Sequence, residues 1–324
     1  MLGLKIDFKK FFKRFYIKAF DEEDLPSNAA QVGFYFTFAL FPLLLFLLSL
    51  FAIILTSADE MRAQLFLYLR RMMPDSAYDL VFKTIGEITE NSSGSKLTIG
   101  ILAALWAASA GIDSIRVALN GVYNLTENRP WWKTKLLALI LTFGLAALVM
   151  IALGVVFYGG KFISLILGTI NFTISSPFFL GILQGITVLA VLVTIFAIIY
   201  NVLPDHTKSK WVWITPGAIV GIILWLLLSY GFRLYLGYFN SYDKTYGSLG
   251  AVIILMLWLY LTAFVILTGG TINAVLQEFS DPEAAEAAAR KAEAKEVVED
   301  PESKKAKKTK PETKGLPKRK ASED

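Results

Sequence analysis

In "WAASAGIDSIRVALNGVYN", Ser109, Asp113, Arg116 and Asn120 stand at i, i+4, i+7 and i+11. That spacing stacks a hydroxyl, a carboxylate, a guanidinium and an amide on one helix face. Together such groups can bind a polar or anionic ligand, with Asp113 orienting Arg116 or carrying a proton. The surrounding run is apolar, and a charge at membrane depth is costly enough that it normally faces a bundle interior or a cavity. A competing reading puts Asp113 about 24 Å along a span that starts near Leu97, close to its end, with Arg116 snorkelling to the headgroups.

A second constellation lies in "LLLSYGFRLYLGYFNSYDKTYG", where Arg233 is followed by Tyr235, Tyr238, Tyr242 and Tyr246 at spacings of three, four and four. Arg233 with Tyr242 and Tyr246 could hold a headgroup, and an interfacial aromatic belt explains the same tyrosines. Pro42 and Pro216 are candidate helix breaks, of the kind that free carbonyls in transporters, and routine packing explains them too. Gly217, Gly247 and Gly250 are candidates for close helix approach, and Gly217 with Gly221 and Gly181 with Gly185 repeat a small-xxx-small pattern. No catalytic residue is expected. Cysteine is absent and His206 is the single histidine, which removes thiolate nucleophiles, multi-histidine metal centres and most histidine acid–base schemes. No metal or cofactor is expected, and no "GxxxxGK[ST]" run is present to bind a nucleotide.

These residues must be carried by elements made for hydrocarbon. The chain has 324 residues, 55% of them hydrophobic, with a mean hydropathy of +0.54. Six apolar stretches each approach the roughly 20 residues that cross a 30 Å slab: 31–56, 97–116, 136–158, 178–203, 211–235 and 247–274. The expected fold is therefore all-α, a polytopic membrane helical bundle of six transmembrane helices. Between the first two spans, residues 57–96 show helical periodicity broken at Pro74, which predicts an external amphipathic segment. Three parts follow: a basic amphipathic segment over 1–30, a six-span membrane domain over 31–278, and a Lys-rich disordered tail over 279–324.

With six spans both termini share a side. Three-quarters of the 32 Lys and Arg residues fall on the termini and even-numbered connections, so both termini are expected in the cytoplasm. The first apolar run is too long for a signal h-region and no small-residue cleavage site follows it. Residues "LKIDFKKFFKRFYIKAF" interleave Phe8, Phe11, Phe12 and Phe15 with Lys9, Lys10, Lys13 and Arg14, which suits a helix lying in the interface. Membrane lipids, with anionic headgroups at both basic ends, are the expected partners. Nucleic acid is not expected, and a homo-oligomer stays open.

Four pieces resemble the YihY/BrkB family of bacterial inner-membrane proteins: "FYFTFALFPLLL", "LWAASAGIDSIRVALNGVYN", "YNVLPDHTKSKWVWITPGAIVGIILW" and "YFNSYDKTYGSLGAVIILMLWLYL". The resemblance implies a six-span, multi-pass protein of the bacterial cell (inner) membrane, with suggested links to envelope integrity, virulence and lipid or solute transport. The family has also carried the name ribonuclease BN, which one loop histidine without an HxH pair does not support. Relatives tend to carry an acidic residue where this chain has Thr271. The leading expectation is transport or binding of an anionic or amphipathic substrate, such as a lipid, at a site among spans two, five and six. The alternative is a non-transporting scaffold for envelope proteins.

Overall fold

The computed structural model describes residues 7–55, 94–168, 177–206, 211–238 and 248–281, with 285–286 and 289–290. Among them every regular element is helical. They are α1 (Phe8–Tyr16), a π-helical turn (Ile17–Glu22), α2 (Leu25–Leu55), α3 (Gly94–Val122), α4 (Trp131–Gly168), α5 (Pro177–Val202), α6 (Pro216–Tyr238) and α7 (Ser248–Ser280). Helices α3 to α7 each contain a stretch long and apolar enough to cross a membrane. The 31 residues of α2 would reach about 46 Å at 1.5 Å per residue, so its length also suits a span. An all-helical membrane bundle is the fold. The expected external segment at 57–96 lies almost wholly outside the described residues, as do Tyr242, Tyr246, Gly247 and most of the basic tail.

Local chemistry explains where these helices begin and end. Asp7 caps α1 by accepting from the Lys9 N–H at 3.0 Å. Asp24, in left-handed backbone at φ 45°, accepts from the Asn28 N–H with its carbonyl at 3.0 Å and opens α2. At the end of α3 the Leu125 N–H reaches the Asn120 carbonyl at 2.8 Å and the Asn124 N–H reaches Gly121 at 2.9 Å. This is the double-bonded Schellman stop, with Asn124 as its left-handed residue at φ 56°. Pro216 is the first residue of α6, where its missing N–H costs nothing; Thr215 precedes it and accepts from the Ala218 N–H at 3.1 Å. It starts a helix rather than interrupting one. Pro42 does lie inside a helix, and α2 runs on past it.

The chain divides into two compact units, one of Lys5–Val275 and one of Met1–Leu4 with Leu276–Asp324. In the first, Ala29, Val32, Ile115, Leu119, Leu203 and Leu267 belong to one buried cluster. Outward faces carry large apolar groups such as Ile140, Ile186 and Leu227, all exposed, as lipid-facing surfaces require. In the second unit, Ser280 Oγ donates to the Leu276 carbonyl at 3.0 Å and the Asp281 N–H to Gln277 at 2.8 Å. Arg290 and Glu286 there form an exposed i,i+4 pair at 3.5 Å.

The tightest helix contact uses glycine. A Cβ on Gly217 would overlap the Gly269 carbonyl oxygen, and a Cβ on Gly269 would overlap the Tyr200 hydroxyl. Asn273 of α7 fastens this contact by accepting from the Gly217 N–H at 2.8 Å and donating to Thr215 Oγ1 at 2.9 Å. Gly221 packs against Phe196, whereas a Cβ on Gly181 or Gly185 would meet nothing within 4 Å. Gly217→Ala should therefore cost about 2 kcal/mol or more of stability through overpacking. Gly181→Ala should stay within about 0.5 kcal/mol of wild type in the same thermal unfolding measurement.

Candidate functional site

The last two turns of α3 carry the polar face into a short connection, and that connection supplies its partners. Arg116 Nε donates to Asp113 Oδ1 at 2.7 Å, and its Nη1 bonds Glu127 Oε2. Asn120 Nδ2 donates to the same Oε2 at 3.0 Å. Arg129 approaches Glu127 from the other side, with Nε 2.7 Å from Oε1 and Nη2 2.9 Å from Oε2. From there Arg129 Nη2 donates to the Leu203 carbonyl at 2.8 Å, at the end of α5. Asp205, just beyond, accepts from the Asn128 N–H at 2.9 Å, and its own N–H donates to Asn120 Oδ1 at 2.9 Å. Three carboxylates, two guanidiniums and an amide thus tie α3, the α3–α4 connection and the end of α5 into one network.

The network sets the charge state of its members. Burial pushes the Glu127 carboxyl up, but hydrogen bonds from Arg129 and Arg116 outweigh it and hold the pKa down to about 2. Glu127 in turn raises that of Arg129. His206, stacked edge-on against Tyr123 at 4.8 Å, has its pKa lowered chiefly by burial, and burial raises that of Tyr123. Among the described residues no group of three or more His, Cys, Asp or Glu side chains is placed to hold a metal ion.

Beside the network, between α2 and α3, lies a cavity of about 390 Å³. Its polar lining includes Glu23, Asp113, Ser114 and Lys135, and Tyr35 and Val117 line it while remaining largely exposed on their outer sides. Asp113 keeps 36% of its side-chain surface exposed, against 10% for Arg116. Lys135, in the first turns of α4, donates to Ser109 Oγ at 2.6 Å and sits 4.4 Å over the Trp106 ring. The cavity therefore presents an ammonium and carboxylates within one wall, and it opens on an apolar flank.

The structure brings together Asp113, Arg116 and Asn120. It does not bring Arg233 to them. Pro216 starts α6 near the Asn273 end of α7, so Arg233 lies about 26 Å further along α6 at 1.5 Å per residue, and its side chain is exposed. That position suits a long side chain reaching the opposite interface, so Arg233 is removed from the proposed site. Arg116, buried and bonded to two carboxylates, is not among the residues that line the cavity. Sequence reasoning missed Lys135, Glu127, Arg129 and Asp205. For Glu127, Arg129 and Lys135 the signal was the density of charge in "ENRPWWKTK", which begins seven residues beyond Asn120 and which topology counting treats as a loop.

A bundle of long apolar helices, with a charged network at one end of α3, defines a polytopic integral membrane protein. A family model described as "Virulence factor BrkB" matches residues 16–295, and the chain belongs to that family. It is 32% identical over 255 residues to the ribonuclease-like protein YfkH of Bacillus subtilis, covering 78% of this chain and 90% of the relative. It is 25% identical over 265 residues to a UPF0761 membrane protein of Pseudoalteromonas translucida, covering 81% and 84%. To one of Alteromonas mediterranea it is 28% identical over 287 residues, covering 85% and 91%. No solved structure matches.

Because the folded Glu127 is more acidic than its ordinary 4.5, its contribution to stability is complete above that pH and is lost as pH falls from 4.5 to about 2. Glu127→Gln should lose on the order of 2 kcal/mol at neutral pH, since both arginines lose a charged partner. It should also flatten the acid limb of the stability curve between those pH values, read as thermal midpoint against pH.

Proposed function

We propose that this protein binds an amphipathic substrate of the lipid class at the α2–α3 cavity and moves it between leaflets. The observation that carries this reading is the cavity's two-faced construction. Asp113, Glu23 and Lys135 make its lining polar, while Tyr35 and Val117 at its flank are exposed apolar groups. A headgroup can enter such a space while its acyl chains stay among the neighbouring lipids. Its volume falls within the range of pockets that hold small organic ligands. Ionisable side chains that face a cavity in a membrane bundle mark substrate paths.

The same reading places the protein in the bacterial inner membrane with both termini cytoplasmic, on the strength of the Lys and Arg distribution. In α1, Phe8, Phe12 and Tyr16, followed by Phe20 in the π-helical turn, form an exposed stripe at steps of four, beside exposed Lys9, Lys10 and Lys13. Rings at that spacing suit the acyl boundary and the lysines suit anionic headgroups, which makes lipid the partner of this segment. We read the chain as a non-enzyme. Asp113, Glu127 and Asp205 are engaged by guanidinium or backbone N–H donors. The ribonuclease-like wording belongs to a relative's name.

Val117→Trp tests the cavity directly by filling its flank. In proteoliposomes of phosphatidylethanolamine and phosphatidylglycerol, it should cut movement of a headgroup-labelled phospholipid by about tenfold, roughly 1.4 kcal/mol in barrier. Ile140→Trp, on an exposed face away from the cavity, should leave the rate unchanged. Equal rates for Val117→Trp and wild type would overturn the proposal.

A further inference from the structure

Resting on the lipid reading above, we infer that the cavity selects a zwitterionic head, a primary ammonium joined to a phosphodiester, over a purely anionic one. The sequence alone pointed to two arginines as the attracting groups. Neither serves: Arg116 is committed to Asp113 and Glu127, and Arg233 is exposed far along α6. What remains in the wall is Lys135 as the cation, with Asp113 and Glu23 as carboxylates. An anionic head would meet Lys135 and the neutral groups of Asn28, Gln31, Tyr35 and Ser114, but the other charged side chains of the lining are carboxylates. Moving like charges into a partly dry site is unfavourable, whereas a head carrying both signs meets an opposite charge at each end.

The spacing fits. Lys135 Nζ is anchored on Ser109 Oγ, and Ser109 stands one helical turn before Asp113 on α3. The residue that holds the ammonium is thus about one turn from the carboxylate's own residue, roughly 5 to 6 Å between their Cβ atoms. Two carbons separate nitrogen from phosphodiester oxygen in an ethanolamine head, a comparable reach. Lys135 keeps donor capacity beyond Ser109 and the Trp106 carbonyl, because an ammonium has three N–H bonds. Asp113 holds Arg116 with Oδ1, and its remaining exposed surface faces the cavity that it lines. The division of labour is then specific. Lys135 takes the phosphate that all phospholipids share, and Asp113 takes the ammonium that only some carry.

The test uses the purified full-length chain and counts bound lipid by native mass spectrometry. Defined mixtures of phosphatidylethanolamine and phosphatidylglycerol are the probes. Wild type should prefer phosphatidylethanolamine by about tenfold, the effect of one charged hydrogen bond. Asp113→Asn, which still offers an acceptor to Arg116, should bring that preference close to unity, and Asp113→Glu should retain most of it. Lys135→Met should weaken both lipids together. Glycerophosphoethanolamine, the same head without tails, should compete far more weakly than the lipid. Equal binding of the two lipids to wild type would overturn the inference while leaving the lipid reading intact, and so would a preference unchanged in Asp113→Asn. Competition by the tail-less head as strong as the lipid's would overturn a membrane source for the ligand. Retention of neither lipid would overturn both readings.

Discussion

Glu127 shares one carboxylate between two guanidiniums, and much of the described architecture depends on that sharing. Arg116 comes from α3 and Arg129 from the connection that leads into α4, with Arg129 reaching on to the last carbonyls of α5. Each arginine alone would be a cation withdrawn from water, and Glu127 alone an anion in the same position. Together with Asp113 and Asp205 they satisfy one another, and the strongly lowered pKa of Glu127 records how far its charged form is favoured. The network therefore acts as a clasp at one end of the bundle. It also fixes the orientation of Asp113, which would otherwise be a lone acid on the wall of a cavity.

A membrane bundle lacks the hydrophobic drive that packs soluble helices, because lipid tails are as apolar as its own side chains. Close backbone approach and polar ties must replace that drive, and both occur where α6 meets α5 and α7. Gly217 and Gly269 let two backbones approach, Tyr200 donates to the Ile266 carbonyl at 2.8 Å, and Asn273 bonds to both Thr215 and Gly217. The clasp and the glycine contact are two solutions to one constraint. The first pays with charge neutralised by charge, the second with the absence of a side chain.

How much of this was legible beforehand follows from which constraints act locally. The apolar runs were legible because hydrocarbon thickness dictates their length, and the Ser109–Asp113–Arg116–Asn120 face because helical periodicity is a property of the chain itself. The helix ends came out a few residues away from expectation, since caps such as Asn124 and Thr215 decide them rather than hydropathy. Glu127, Arg129 and Asp205 escaped because their partners come from different connections, and no spacing rule links residue 127 to residue 203. Arg233 misled for the opposite reason. A charge inside an apolar run signals function only when its helix turns it inward, and rotation about the helix axis is set by packing.

The contrast between the two in-span arginines sharpens what a membrane charge means here. Arg116 is buried and bonded to two carboxylates, which suits a structural part; Arg233 is exposed near the far end of α6, where snorkelling relieves it. Neither is poised to capture a ligand. The cation of the proposed site, Lys135, lies at the beginning of α4, where a cation opposes the positive end of the helix dipole and is compensated by the Trp106 ring and the Ser109 hydroxyl. A cation kept in an unfavourable place, beside a carboxylate that the clasp holds steady, is what a site for a dipolar headgroup requires. The stability of the clasp and the readiness of the cavity are therefore parts of one arrangement, linked through Asp113.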